Sequence, residues 1–339
     1  MNRPLRHILI AGTISLFATA EEPTPAPVEQ VVIIGGGPAG YTAALYAARA
    51  GLKPLVLEGT LPGGQLIYSQ DVENYPGYPD GVEGTRMMDD FRRQGGRFGA
   101  RFLTQRADGF EPGSAGSPHR ITAEGRTVET RAVILAMGAQ YRKLGAAGEA
   151  ELAGKGVSYC GTCDAPLFRG KETVVVGGGD SAMEDALFLA KFASKVTVVH
   201  RNPAFRASRV MLERARANPR IHWRVPYTVQ AFQAGAQGRL DRVLVRHGET
   251  GRAEAIPARG AFVAIGQVPQ SDLVRGSLAL DAKGYVRTDG CSTRTAIPGV
   301  FAAGDLVDHT YRQAVTAAAS GCMAALDAER YLRDTPAER

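Results

Sequence analysis

The chain has 339 residues, 44% hydrophobic and 22% charged, the balance of a globular protein with length enough for two cores. Its 40 basic and 34 acidic residues leave a formal charge of +6. With no Lys/Arg run carrying interleaved aromatics, this argues against nucleic-acid binding and suits anionic cofactors or acidic protein partners. Four cysteines are too few for a secreted disulfide scaffold of this size.

Residues 1–27 do not read like the rest. Arg3, Arg6 and His7 precede an apolar stretch from Ile8 to Ala20, followed by Glu21, Glu22 and a Pro-rich run. The segment has the pattern of a secretory or organelle-targeting leader; the other readings are a disordered extension and a start assigned too early. The apolar run is too short to cross a bilayer, so no stable membrane span is expected and the cytoplasm is the expected compartment.

Val31–Ile34 is a β-branched apolar run of the kind buried in parallel sheets. It enters Gly35-Gly36-Gly37-Pro38-Ala39-Gly40 and then a helical pattern, Tyr41–Ala50. Strand, glycine turn and helix together give the G-x-G-x-x-G match its meaning. The glycines permit a tight turn and close pyrophosphate approach, and the helix start supplies N–H donors. A second strand, Pro54–Leu57, ends at Glu58, placed for a ribose hydroxyl pair.

The unit then recurs. Thr173–Val176 enters Gly177-Gly178-Gly179-Asp180-Ser181-Ala182, a helix through Ala193, and a strand Lys195–Val199 that ends at His200. Gly35 to Glu58 and Gly177 to His200 both span 23 positions. The two units differ at the residue that inspects the ribose. Glu58 accepts from hydroxyls and repels a phosphate, whereas His200 is followed by Arg201 and, nearby, Arg206, whose guanidinium forks pair with a 2′-phosphate. The first unit is therefore expected to hold the ADP half of FAD through Gly35, Gly37, Pro38, Ala39, Gly40 and Glu58. The second is expected to hold NADPH through Gly177, Gly179, Asp180, Ser181, His200, Arg201 and Arg206.

In Cys160-Gly161-Thr162-Cys163-Asp164, Cys163 lies 14 positions before Gly177 of the second glycine loop. The pair reads as a redox dithiol, half of a zinc site, or two unrelated core cysteines. A structural zinc site needs further ligands, and no second pair stands near, so no metal is expected. C-x-x-C spacing lets one thiol stabilise the other as thiolate, which favours the dithiol. Asp164 could carry the proton that exchange releases, or it could simply cap the segment Ala165–Phe168.

From about Val31 to Leu332 the chain resembles a low-molecular-weight thioredoxin reductase of the bacterial and plant type. The resemblance rests on Gly35–Gly40, Pro62–Leu66, Glu73–Gly77, Cys160–Asp164, Gly177–Ala182, Phe262–Gly266, Phe301–Asp305, Asp308–Ala314 and Gly321–Met323. It implies an α/β protein of two Rossmann-like, three-layer domains, the NADPH domain (143–261) inserted into a discontinuous FAD domain (28–142 and 262–335), assembled as a homodimer. It also implies that Cys163 lies nearer the flavin, that Cys160 attacks the protein substrate, a thioredoxin or thioredoxin-like protein, and that Asp164 is the acid–base. Further FAD contacts are implied for Gly64, Gln65, Asn74, Gly138, Asp305, Arg312, Gln313 and Ala314, and NADPH contacts for Ile265 and Gly266. If Arg312–Ala314 open the helix running to Leu332, its N–H groups would stabilise charge gathering on the flavin N1/O2 edge. Three departures stand out: Asn202 where the family usually has a second arginine, Met137 where it commonly has threonine, and the N-terminal extension, which is not part of the pattern.

The cysteines and the nicotinamide site both belong to the inserted unit yet must reach one flavin. The inserted unit is thus expected to rotate between two poses, with hinges near Gly138–Gly148 and Ile265–Gln270. Rival readings are a dithiol oxidase or ferredoxin-linked reductase on the same scaffold, and a non-catalytic redox-sensing flavoprotein. Retention of Arg201 and Arg206 argues against the first group, and the intact C-x-x-C-D against the last.

Overall fold

A computed structural model describes residues 27–335 apart from 70 and 115. The expected leader, and with it the readings of targeting and processing, lies outside the described residues. The first sheet runs, in spatial order, Arg101–Leu103, Leu55–Leu57, Glu29–Ile34, Arg126–Leu135, His119–Ala123 and Ala107–Glu111. A seventh strand, Val300–Ala302, pairs parallel with Arg126–Leu135. The strands around Glu29–Ile34 are parallel, and the last three form an antiparallel meander.

The second sheet is wholly parallel, in the order Ile221–Arg224, Lys195–Val199, Glu172–Val176, Gly260–Val263 and Val157–Ser158. A three-stranded antiparallel sheet, Tyr227–Ala234, Leu240–His247 and Ala253–Pro257, belongs to the same part of the chain. The chain thus leaves the first sheet after Leu135, builds the second, and returns at Val300.

Continuous apolar runs form these strands because both faces of each sheet are covered. Val31 and Ile33 enter one apolar cluster while Val32 and Ile34 enter the opposite one. In the second sheet Val175 faces one cluster, and Val174 and Val176 the other. On the first sheet, helix Pro38–Arg49 packs against the C-terminal helix Ala314–Asp334 through alanines. The approach is close: a Cβ on Gly321 would lie 2.1 Å from the Ala39 carbonyl oxygen.

Several expected boundaries shift. The first helix starts at Pro38, whose fixed φ suits the first helical position, rather than Tyr41. The helix after the second glycine loop ends at Leu189, not Ala193. The expected border between 261 and 262 falls inside the strand Gly260–Val263, because Phe262 is fully buried in the second sheet. The crossings themselves pair: Ala139–Tyr141 and Gln267–Pro269 form an antiparallel two-stranded ribbon. Gln270 N–H donates to the Gly138 carbonyl at 2.9 Å, and Arg142 N–H to that of Gly266 at 3.0 Å. Both expected hinge segments therefore lie side by side.

Candidate active site

The two glycine loops are built alike. A Cβ on Gly35 would lie 2.1 Å from the Ala136 carbonyl oxygen, and one on Gly177 would lie 2.4 Å from that of Ala264. The first glycine of each loop is thus jammed against the end of the neighbouring strand. Gly37 and Gly179 cap the helices that follow, and nothing lies within 4 Å of where their side chains would be. Each loop leaves an open space before a helix start, which fits a pyrophosphate. Gly40 packs on the Gly35 carbonyl, and Gly64, at φ +64°, closes on Gly37. Gln65 donates its amide to the Ala139 carbonyl, tying this segment to the ribbon.

Glu58 stands where expected, but its carboxylate is turned inward and its side chain is fully enclosed. Tyr41 Oη donates to it at 2.7 Å, Arg92 Nε at 2.7 Å and Nη2 at 3.3 Å, and Thr104 Oγ1 at 3.3 Å. Four donors occupy the oxygens that the sequence assigns to a ribose, so a ribose would have to share them.

The second loop shows a similar division of labour. The His200 ring lies over Gly178, with Nε2 3.2 Å from the Ala204 carbonyl. Burial lowers its pKa, opposed by the Ala204 carbonyl and reinforced by Arg201 and Arg206, which favours the neutral imidazole. Asp180 accepts the Ser208 N–H at 2.7 Å and anchors the segment that carries the arginines. Arg201 and Arg206 are exposed, and no ion pair of either occurs among the described residues. They are free cations beside the loop. Ser181 lies in the helix that follows this loop, and the Ala264 carbonyl that packs on Gly177 directly precedes Ile265 and Gly266, the last with φ +103°.

Cys160 and Cys163 are joined as a disulfide. The Cys163 N–H points to Cys160 Sγ at 3.2 Å, and Ser158 Oγ accepts the Cys160 N–H at 3.1 Å. Asp164 makes no side-chain cap to Ala165–Phe168, which removes the bland explanation for it. Burial raises its pKa, opposed by the Ser158 hydroxyl and supported by Asp71. It lines a cleft of about 800 Å³ together with Tyr68, Ser158, Leu167 and Arg239. The group is therefore biased towards the protonated form and can reach water. Cys291 and Cys322 are free thiols elsewhere.

The redox turn is docked on the first sheet's loops. Gln313 Nε2 donates to Thr162 Oγ1 at 3.2 Å, and Gln313 Oε1 accepts from Asn74 Nδ2 at 3.4 Å. Tyr141 of the ribbon stacks on Tyr159, with centroids 5.5 Å apart. The C-terminal helix begins at Ala314 with Gln313 as its N-cap. Arg312 lies before it at φ +51°, held by the Asp308 carboxylate, which accepts N–H bonds from Thr310, Tyr311 and Arg312. The expectation that Arg312 opens the helix is corrected accordingly: its left-handed backbone cannot continue into a helix. Asp305 is pushed up to about 7 by burial and Asp308, against Arg312.

Sequence reasoning missed the donors around Glu58, the Tyr141–Tyr159 stack, and Asp185 beneath the redox turn. Their partners lie 17 to 46 positions away for Glu58, and no local pattern marks such contacts.

A family model described as pyridine nucleotide-disulphide oxidoreductase matches residues 29–321. The chain belongs to that family. Within this oxidoreductase family, thioredoxin reductase of Mycolicibacterium smegmatis is 51% identical over 311 residues, covering 92% of this chain and 99% of its own. The thioredoxin reductase structure from Streptococcus pyogenes superposes with a TM-score of 0.85 at 37% identity, covering 90% of this chain and 98% of that one. The Lactococcus lactis thioredoxin reductase in its FR conformation covers 91% and 100% at 35% identity, with a TM-score of 0.62. The α/β architecture and the resemblance read from the sequence are borne out. Among the described residues no helix is long and apolar enough to cross a membrane.

Proposed function

We propose that the protein is a thioredoxin reductase that takes a hydride from NADPH onto FAD and passes the electrons through Cys160 and Cys163 to a thioredoxin-like protein. The observation that carries this reading is the disulfide itself, held on an inserted nucleotide-binding sheet and docked against the loop Asp308–Gln313 of the other sheet. The open spaces before Gly37 and Gly179 support two dinucleotides. We assign FAD to the first sheet, residues 28–142 and 264–335, and NADPH to the second. The flavin, when bound, supplies a two-electron relay between nicotinamide and disulfide.

The chain's own residues do the rest. Gly35 and Pro38 shape the turn, and Gly37, Ala39 and Gly40 would offer N–H groups and space to the FAD pyrophosphate. Gly64, Gln65, Asn74, Gly138 and Asp305 would hold the rest of the cofactor, together with Arg312, Gln313 and Ala314. Arg201 and Arg206 would pair with the 2′-phosphate beside His200. Once reduced, Cys160 attacks one sulfur of the partner disulfide; the new mixed disulfide forms as the partner's S–S bond breaks. Cys163 then attacks Cys160 Sγ, restoring the original disulfide and releasing the partner as a dithiol. Both protons come from the two enzyme thiols, with Asp164 relaying them through the cleft.

The half-buried pair is docked through Thr162 on Gln313, so the inserted unit must swing about the ribbon to present both sulfurs to a protein partner. The lower TM-score of the Lactococcus lactis structure, at nearly equal identity and coverage, supports a second arrangement of the two sheets. Exposed Tyr46, Val315, Met323 and Leu326 on the outer helices support a homodimer. The cytoplasm, where thiols stay reduced, is the compartment we assign. NADPH oxidation that depends on oxidised thioredoxin and vanishes in Cys163→Ser tests the reading; oxidation unchanged in that variant would sink it.

A further inference from the structure

We propose that Asp185 is a positioning residue for the dithiol: it holds the redox turn at Gly161, and its charge governs how readily Cys160 and Cys163 become thiolates. The proposal rests on the reading of this pair as the working dithiol.

Asp185 lies midway along the helix Asp180–Leu189 that starts at the second glycine loop. Its neighbours Ala182, Met183, Ala186 and Leu189 are buried and apolar. Asp185 instead packs its carboxylate against the redox turn. A Cβ on Gly161 would lie 2.2 Å from Asp185 Oδ1 and 2.6 Å from Cγ. Gly161 is not among the glycines with positive φ, so its backbone does not require glycine. The carboxylate does. Gly161 is adjacent to Cys160 and only Thr162 separates it from Cys163.

The surroundings leave the charge of Asp185 finely balanced. Burial pushes it up to about 7, opposed by the Gly161 N–H and by Arg312 from the other sheet's loop, while Glu184 on its own helix adds to the rise. The charges of Asp305, Asp185 and Asp164 act together on the buried Tyr141 hydroxyl of the ribbon, and that of Arg312 opposes them. A charged Asp185 repels a neighbouring thiolate, and a neutral one does not. Asp164 opens on the cleft and can exchange protons, whereas Asp185 is not among its lining residues. The two carboxylates therefore divide the work, one moving a proton and the other setting the field.

The test is the pH profile of alkylation of Cys160 by iodoacetamide in the dithiothreitol-reduced full chain, followed by mass spectrometry. Asp185→Asn should move the midpoint down by about one pH unit, a tenfold change in thiol acidity. Gly161→Ala should push the carboxylate away and move the midpoint the same way, and Asp185→Glu, which keeps a charge, should stay closer to the parent. An Asp185→Asn profile that overlays the parent's overturns the proposal. If that variant does not fold, an unmoved Gly161→Ala profile overturns it instead. Loss of thioredoxin turnover in the parent, with the alkylation shift intact, would count against the assigned function and not against this role.

Discussion

Gln313 and Thr162 are 151 positions apart in sequence, yet Gln313 Nε2 donates to Thr162 Oγ1 at 3.2 Å. Gln313 caps the helix that packs on the first sheet, and Thr162 sits between the two cysteines of the inserted unit. The bond marks the pose in which the disulfide lies against the loops assigned to the flavin.

Thr162→Val keeps the shape and removes the hydroxyl. A neutral hydrogen bond of this kind contributes about 1 kcal/mol, so the docked pose should lose about fivefold in population. Stopped-flow traces should show electron transfer from flavin to disulfide slowed by about that factor. Flavin reduction by NADPH, which belongs to the other pose, should be unaffected. Equal rates in both steps would mean that the bond does not hold the pose.

Arg201 and Arg206 stand beside the second glycine loop without carboxylate partners among the described residues. Replacing either by alanine should raise KM for NADPH about tenfold, the scale of a lost charge-assisted hydrogen bond, with little change for NADH. Asn202→Arg should strengthen the preference for NADPH. A parallel loss with both nucleotides would show that the arginines do not read the phosphate.

Asp305 carries a stability cost that its site explains. Burial and Asp308, against Arg312, raise it from 3.8 to about 7. A carboxylate raised in the folded state contributes its full stability below 3.8 and loses it as pH climbs through about 7. Asp305→Asn apoprotein should therefore melt higher than the parent at alkaline pH and no higher in strong acid. The same variant should bind FAD at least tenfold more weakly, since a hydrogen bond to a charged acceptor is lost. Melting curves at the two pH extremes and flavin release on dilution check both halves.

Gly321 lets two helices meet. A Cβ there would lie 2.1 Å from the Ala39 carbonyl, so Gly321→Val must force the C-terminal helix off Pro38–Arg49 at a cost of about 2 kcal/mol or more. Because Pro38–Arg49 begins at the first glycine loop, flavin retention should fall along with the melting temperature.

Much of this was legible in the sequence because the decisive features are local. The two strand–glycine–helix units announce themselves through backbone demands within a few residues, and Val31–Ile34 and Thr173–Val176 read as buried strands because both faces are apolar. The Cys160–Cys163 spacing already allows the bond that the structure shows. What stayed hidden depends on distant partners. Glu58 looked free for a ribose because Arg92 and Thr104 come from other elements. Asp185 looked like one more helix residue because Gly161 is 24 positions away. Arg312 looked helical because its turn is fixed by Asp308 through three backbone N–H groups, a pattern without propensity signals.

Anaerobic titration of the FAD-loaded chain with NADPH tests the central claim most directly, since it counts the electrons that the chain can hold. We predict uptake of one equivalent by the flavin and a second by the disulfide, with two new thiols titratable on Cys160 and Cys163, and a single equivalent in Cys163→Ser. A wild-type chain that stops at one equivalent with its disulfide intact would contradict the account.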